Sequence, residues 1–507
     1  MQGAPGRAPN HHRMDLPRTL GELKRSGYTA RTVKQELRDN LIARIRTGQP
    51  LFADVHGYED TVVPALQRAI LAGHSINLLG LRGQAKTRMA RALVELLDER
   101  VPVVAGSEIN DDPMAPLSRH ARELIARMGD DTPVEWLHRS ARYTEKLATP
   151  DVTVADLIGD SDPIKAANLK LDYGDERVIH FGLIPRSNRG IFVINELPDL
   201  QPRIQVALFN ILQEGDVQVR GFKLRLPLDI QFIFTANPED YTNRGAIITP
   251  LKDRIQSQIL THYPPTIELG MRITGQEARI PAGQEERVRV PDLLRVLIER
   301  LAMEARDSEL VDRKSGVSAR LTISAYETLR ASAELRTLRN GGEGAVARMG
   351  DLWSIVPAIT GKIELVYEGE QEGPEKVAGH LLGQAVRNVF AELFPDAVKA
   401  RKRRTDAGAD PYASIVDHFS DAHCDLLLDL GEREHAELLR GIPGLLQIVA
   451  QRHPYLDQQE QVLWAEFVLH GLAEHSRIGR SRLVGAVRFG DLVRSVLGGV
   501  LDADGEA

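Results

Sequence analysis

The chain has 507 residues, 42% hydrophobic and 27% charged, with a formal net charge of −7, which suits about three soluble globular domains of ~150 residues each. The acidic balance argues against nucleic-acid binding through bulk charge, and no apolar run approaches the ~20 residues that span a bilayer. A single cysteine, Cys424, excludes an internal disulfide framework and fits a reducing, cytoplasmic setting.

The first stretch, MQGAPGRAPNHHRMD, lacks a hydrophobic signal core and reads as a disordered tail. Residues 15–48 are densely charged, with Leu20, Leu23, Leu37, Leu41 and Ile45 at helical spacing, which predicts a helical lead-in. From 51 onward the pattern becomes α/β. Amphipathic VVPALQRAILAG precedes a short strand, INLLG; the helix KTRMARALVELLDE follows it, and VPVVAG reads as the next strand. GIFVIN and IQFIFTAN are two further short apolar runs, as expected of parallel strands covered on both faces. Between them, DLQPRIQVALFNILQEG sets Ile204, Ala207, Leu208, Ile211 and Leu212 on one side of a helix. DVQVRGFKLRLPLD then alternates on either side of Arg220-Gly221, which predicts a β-hairpin. Beyond 265 the strand signals fade and helices dominate, from VPDLLRVLIERLAMEA through LTISAYETLRASAELRTL. NGGEGA near 340 and KARKRRTDAGADP near 400 read as linkers.

The strongest chemistry lies in INLLGLRGQAKTRMARAL. A strand ends at Gly80, a loop through Gly83, Gln84 and Ala85 follows, and Lys86-Thr87 open a helix. Phosphates require backbone N–H donors at a helix N-terminus, where the helix dipole also favours negative charge. A lysine must reach the β- and γ-phosphates, and a hydroxyl must ligate Mg²⁺. The spacing matches G-x-x-x-x-G-K-[ST], except that Ala85 replaces the second glycine.

A second strand should end beside the metal and the attacking water. GIFVINE supplies one about 110 residues after the loop. Glu196 is the candidate base that orients or activates the water. Asn195 stands where an Asp usually supports the metal; it keeps a carbonyl acceptor but brings no charge, so weaker Mg²⁺ support is expected. QFIFTAN ends at Asn237, a candidate sensor of the γ-phosphate. Arg254, in TPLKDRI, is a candidate to stabilise charge on the transferring phosphate of a neighbouring subunit.

GLRGQAKT, GLIPRSNRGIFVINELPDL, the hairpin, FTANPED and TPLKDRI come in the order found in AAA+ ATPases. They most resemble the magnesium chelatase ATPase subunit and the related MoxR group, and RSNRG directly before the acidic strand is the most particular match. The resemblance implies an α/β P-loop AAA+ domain: a parallel sheet with flanking helices and a β-hairpin insert, then an α-helical lid and a C-terminal helical region. The expected division is tail and lead-in over 1–50, AAA+ core over 51–265, lid over 266–345 and C-terminal helices over 346–507. It further implies ATP and Mg²⁺ as cofactors, Val55 and Gly57 backing the adenine, and Arg320, at the start of a lid helix, as a second sensor. A ring, expected as a hexamer, would place Arg254 in trans. A separate partner with a von Willebrand A domain is also implied, since no Asp-x-Ser-x-Ser signature occurs here.

Other readings lead elsewhere. Asn195 keeps open a nucleotide-sensing scaffold with little hydrolysis, against which Glu196, Asn237 and Arg254 all argue. A transcription activator of the bacterial-enhancer type needs a GAFTGA-like loop before the acidic strand, where this chain has PIKAANLKLDYGDERV. The basic cluster Lys399, Arg401, Lys402, Arg403 and Arg404 has no interleaved aromatics and reads as a solvated linker. His418, His423 and Cys424, on an expected helix, fit no zinc spacing and read as packed or solvated.

Overall fold

The computed structural model describes residues 16–171, 175–219, 222, 225–238, 246–398, 410–483 and 485–492. The chain forms two compact units: residues up to Gly80 with Ala85–His262, and Leu81–Gln84 with Tyr263 onward.

The first unit is built on five parallel strands: β1 (Ile76–Leu79), β2 (Tyr143–Leu147), β3 (Gly190–Asn195), β4 (Ile230–Ala236) and β5 (Ser257–Leu260), in the spatial order β5-β1-β4-β3-β2. Alternate residues of the central strands enter separate cores. Phe192, Ile194, Phe232 and Phe234 belong to one; Ile191, Val193, Ile233, Ile76 and Leu78 belong to the other. Every residue of β3 and β4 is buried, which is why these segments read as unbroken apolar runs rather than alternating ones. Helices α1 (Val62–Leu71), α2 (Lys86–Ala92), α3 (Pro202–Glu214) and α4 (Thr249–Arg254) connect or flank the strands. Asp216–Gln218 and Arg225–Pro227 pair antiparallel as the expected hairpin; Arg220 and Gly221 lie outside the described residues.

The expected make-up of the sheet needs correction. VPVVAG does form a strand, Arg100–Val104, but it pairs antiparallel with Val134–His138 in a separate two-stranded sheet. The main sheet instead holds two strands that the sequence reading did not identify, SQIL (Ser257–Leu260) beside β1 and YTEKL (Tyr143–Leu147), which occupies the edge beside β3. Edge strands need no continuous apolar run, so nothing in the apolarity of YTEKL marked it.

RSNRG acts as a buried clamp at the start of β3. The Asn188 side chain donates to the Ile109 carbonyl (3.0 Å) and accepts from the Asp229 amide (2.9 Å). Arg189 donates through its amide to the Asp229 carbonyl (2.7 Å) and through its guanidinium to the Pro102 carbonyl (2.6 Å). The next strand is held in turn by Arg142, which donates to the Arg189 carbonyl (2.8 Å) and forks onto buried Glu36 at 2.7 and 2.6 Å. At Gly190 a Cβ would stand 2.3 Å from the Arg142 carbonyl oxygen, so only glycine fits there. These residues fix where β3 starts, and with it the height at which Asn195 and Glu196 emerge.

The second unit is mainly helical, with its core among Asp292–Asp307, Arg320–Arg339, Pro374–Leu393 and Gln458–Glu474. The C-terminal part is not wholly helical: Cys424–Leu427, Gly479–Leu483 and Ala486–Gly490 form a three-stranded antiparallel sheet. Cys424 therefore lies on a strand rather than a helix, with burial pushing its thiol up to about 11. His418 lies on the preceding helix, Ala413–Asp421. No metal-holding cluster of His, Cys, Asp or Glu occurs among the described residues. A bidentate Arg336–Asp351 pair (3.0 and 2.8 Å) is buried in this unit. The basic cluster 399–404 and the first 15 residues lie outside the described residues. Among those described, no helix is long and apolar enough to cross a membrane.

Candidate functional site

Parallel strands end together, and in open α/β sheets that carboxyl edge is where ligands bind. Here β1, β3 and β4 bring Gly80, Asn195-Glu196 and Asn237 to one edge. Leu79 stands opposite Ala236 and Ile194 opposite Phe234 in the register, and the Gly80 amide donates to the Ala236 carbonyl (3.2 Å).

From Gly80 the chain turns through Gly83, at φ +72°, to Ala85, which caps α2 in the left-handed region at φ +56° and ψ +17°. The loop thus keeps a glycine-like backbone at a position that carries a methyl group. That conformation costs an L-residue about 1 kcal/mol. Ala85→Gly is accordingly expected to raise stability by about 1 kcal/mol, read as a higher urea midpoint with an unchanged slope. A lower midpoint would mean that packing of the Ala85 methyl against the neighbouring core outweighs the strain.

Lys86 is buried, and its ammonium donates to the Gly80 carbonyl, closing the loop on itself. Gln84 is also buried. The Thr87 hydroxyl donates to Asn195 Oδ1 (3.2 Å), which also accepts from the Thr235 hydroxyl (3.1 Å). Thr235 accepts in turn from the Glu196 amide (3.1 Å). Glu196 is half-buried and held in the left-handed region at φ +55°. Asn237 is buried, and among the described residues its Oδ1 has no hydrogen-bond partner. An orphaned buried acceptor at a strand tip, on the edge that also carries Gly80 and Asn195-Glu196, fits a site that takes a polar ligand.

The arrangement includes two residues that sequence reasoning missed. Thr235 is a lone hydroxyl inside an apolar strand, which was its only signal. Glu145, on the hidden strand β2, stands opposite Val193 on the side of the sheet that Asn195 shares; it is forked by Arg91 at 2.8 and 2.7 Å and accepts from the Tyr143 hydroxyl (2.8 Å). The Arg91 bonds hold its carboxyl below the usual range against the opposing effect of burial, while burial and Glu145 raise the Tyr143 phenol.

The remaining expected residues lie elsewhere. Val55 is buried in the same core as Met89 of α2, and Gly57 has φ +85°. The adjoining Tyr58 hydroxyl donates to the His262 carbonyl (2.8 Å). Arg254 ends α4, where it pairs with Asp253 and stands 5.6 Å from the centre of the Phe209 ring. Arg320 begins the helix Arg320–Arg339 of the second unit, with an exposed side chain.

Comparison with known proteins adds relatives. The Sigma-54 interaction domain matches residues 173–259, which include β3, α3 and β4. The magnesium-chelatase 38 kDa subunit of Cereibacter sphaeroides is 26% identical over 227 residues, covering 44% of this chain and 61% of that protein. The hydrogenase transcriptional regulatory protein HoxA of Cupriavidus necator is 23% identical over 281 residues, covering 53% and 58%. A solved complex between subunits BchI and BchD of magnesium chelatase matches at 21% identity with a TM-score of 0.32, over 64% of this chain and 98% of that one. The chain spans about three-fifths of the length of the curated relatives it matches. In sequence the chain is thus similar to magnesium-chelatase subunits, and its parallel sheet with the loop between β1 and α2 is that of an AAA+ fold.

Proposed function

We propose that the edge formed by β1, β3 and β4 binds ATP with Mg²⁺ and hydrolyses it. One observation carries the reading: Lys86 and Thr87 open the helix that follows β1, and the next two strands across the sheet, β4 and β3, lead to Asn237 and to Asn195-Glu196. Backbone amides from Gly80 through Thr87 would cradle the phosphates. The ammonium of Lys86 would exchange the Gly80 carbonyl for phosphate oxygens. Thr87 and Asn195 are the residues that would hold Mg²⁺, a metal that supplies charge neutralisation on the phosphates. Glu196 would take the proton of the attacking water, and Asn237 would donate its amide to the γ-phosphate. Val55 and Gly57 are assigned to the adenine side and Arg320 to a second sensor.

The assembly that follows is a ring, taken as a hexamer, in which Arg254 of one subunit serves the site of the next. Its work would be that of the magnesium chelatase and MoxR group: remodelling a partner protein or assisting metal insertion, with a separate von Willebrand A domain protein as the expected partner. The similarity to a magnesium-chelatase subunit supports this direction, and the chain is assigned to the cytoplasm. The competing reading, a scaffold that senses nucleotide with little turnover, rests on Asn195, which brings the corner no charge.

Calorimetric titration of the full chain with Mg-ATP tests the binding half. Loss of the Lys86 ammonium removes charge-assisted bonds worth ~1.5–3 kcal/mol, so Lys86→Ala should weaken ATP binding about 10- to 100-fold. Equal affinity would remove the phosphate-loop assignment.

A further inference from the structure

Gln205 lies on α3, is 1% exposed, and has partners at both ends of its side-chain amide. The nitrogen donates to the Leu200 carbonyl (2.8 Å) and to the Ala246 carbonyl (3.1 Å), and the oxygen accepts from the Ile248 amide (2.9 Å). Carbonyls only accept and a backbone N–H only donates, so these three partners fix the sense of the amide. They belong to two segments that carry candidate site residues. Leu200 closes the short turn, Leu197–Asp199, that follows Glu196. Ala246 and Ile248 lead into α4, the helix that ends at Arg254.

Helix α4 has only six residues, too few to hold a position by its own bonds. Leu251 is buried, as is Ile247 just before the helix, in the core that also takes Ile204 and Leu208 of α3. Burial of apolar surface is non-directional and sets the depth of the helix. Hydrogen bonds are directional and fix its rotation and its height as well. Ile248, the N-cap residue of α4, has no side-chain cap, and Gln205 takes its amide. One turn further along α3, Phe209 meets the Arg254 guanidinium at the other end of α4, 5.6 Å from the ring centre. Gln205 and Phe209, at i and i+4 on α3, thus hold α4 at both ends.

We propose that Gln205 is a positioning residue for Arg254: it ties the start of α4 to the turn beyond Glu196 and so sets where the guanidinium stands. On the nucleotide reading above, on which this rests, Glu196 serves the site of its own subunit and Arg254 that of the next. Gln205 is then one side chain shared between two adjacent reaction sites.

Gln205→Met keeps the length of the side chain and removes all three bonds. Displacing a group by about 1 Å can cost about 10²-fold in rate, so turnover should fall about 10- to 100-fold, with ATP affinity unchanged. Mixtures of full-length subunits show which site the loss belongs to. A Gln205→Met subunit keeps Glu196 and misplaces Arg254, so mixing it with Glu196→Gln should give turnover above the sum of the parts. Mixing it with Arg254→Ala should give none above that sum, because neither chain supplies a placed arginine. If Gln205→Met binds no ATP, Gln205→Glu takes its place; it keeps an acceptor for Ile248 and, ionised, donates to neither carbonyl.

Native turnover, gain with Arg254→Ala, no gain with Glu196→Gln, or loss of ATP binding in both variants would each overturn the proposal. Arg254→Ala mixed with Glu196→Gln is the control. If that mixture gains nothing, or the native chain releases no phosphate, the reading on which the proposal rests falls with it. A control that gains while the Gln205 mixtures do not overturns this proposal alone.

Discussion

Glu196→Gln is expected to slow ATP turnover by about 10²- to 10⁴-fold while leaving ATP affinity unchanged. Glutamine has the same shape and cannot take a proton from water. The backbone makes this residue the strongest candidate for that role. Glu196 follows a fully buried strand and is held at φ +55°, a conformation that costs a side-chain-bearing residue ~1–3 kcal/mol and persists where surrounding structure over-determines it. Here the determinant is the Thr235 hydroxyl, which accepts the Glu196 amide at 3.1 Å while donating to Asn195. The same hydroxyl thus ties the candidate base to the candidate metal ligand. Steady-state phosphate release, paired with a binding titration of each protein, checks this prediction. Turnover equal to native would assign the base elsewhere, and lost binding would give Glu196 a structural role.

Arg254→Ala is expected to lower turnover about 10³-fold, in the range observed when an arginine that stabilises transition-state charge is removed. In the single chain Arg254 faces its own neighbours, Asp253 and the Phe209 ring, rather than the strand tips. A role in trans makes a specific prediction for mixtures. A ring that mixes Arg254→Ala with Glu196→Gln subunits contains interfaces where intact Glu196 meets intact Arg254. Mixing the two slow variants should then restore a measurable part of native turnover. A mixture no faster than the sum of its parts would place Arg254 outside the reaction.

The convergence of the candidate residues was legible in the sequence because Gly80, Asn195-Glu196 and Asn237 each lie at the end of an apolar strand. INLLG, GIFVIN and IQFIFTA are buried on both faces, so their composition shows the strand and the polar residue that stops it shows the tip. The support around that corner was not legible. RSNRG stood out as a pattern, but its role depends on bonds to Ile109, Pro102 and Asp229, the first two of them roughly 80 residues away in the chain. Glu145 was hidden because β2 is an edge strand whose residues are mostly half-buried, so YTEKL carries little apolar signal. VPVVAG misled for the opposite reason: its apolarity reports burial and says nothing about which sheet buries it. In the second unit, GRSRL and AVRFG are short and arginine-bearing, which concealed their antiparallel pairing. The left-handed backbone of Ala85 was also beyond the sequence, since alanine gives no hint of a conformation that glycine would announce.

The most direct test of the account is phosphate release from Mg-ATP by the full chain, measured for native protein beside Lys86→Ala. The account predicts steady release by the native chain and none above background for the variant, because Lys86 joins the loop to the phosphates. Equal release by the two proteins, or none by either at saturating ATP, would contradict it.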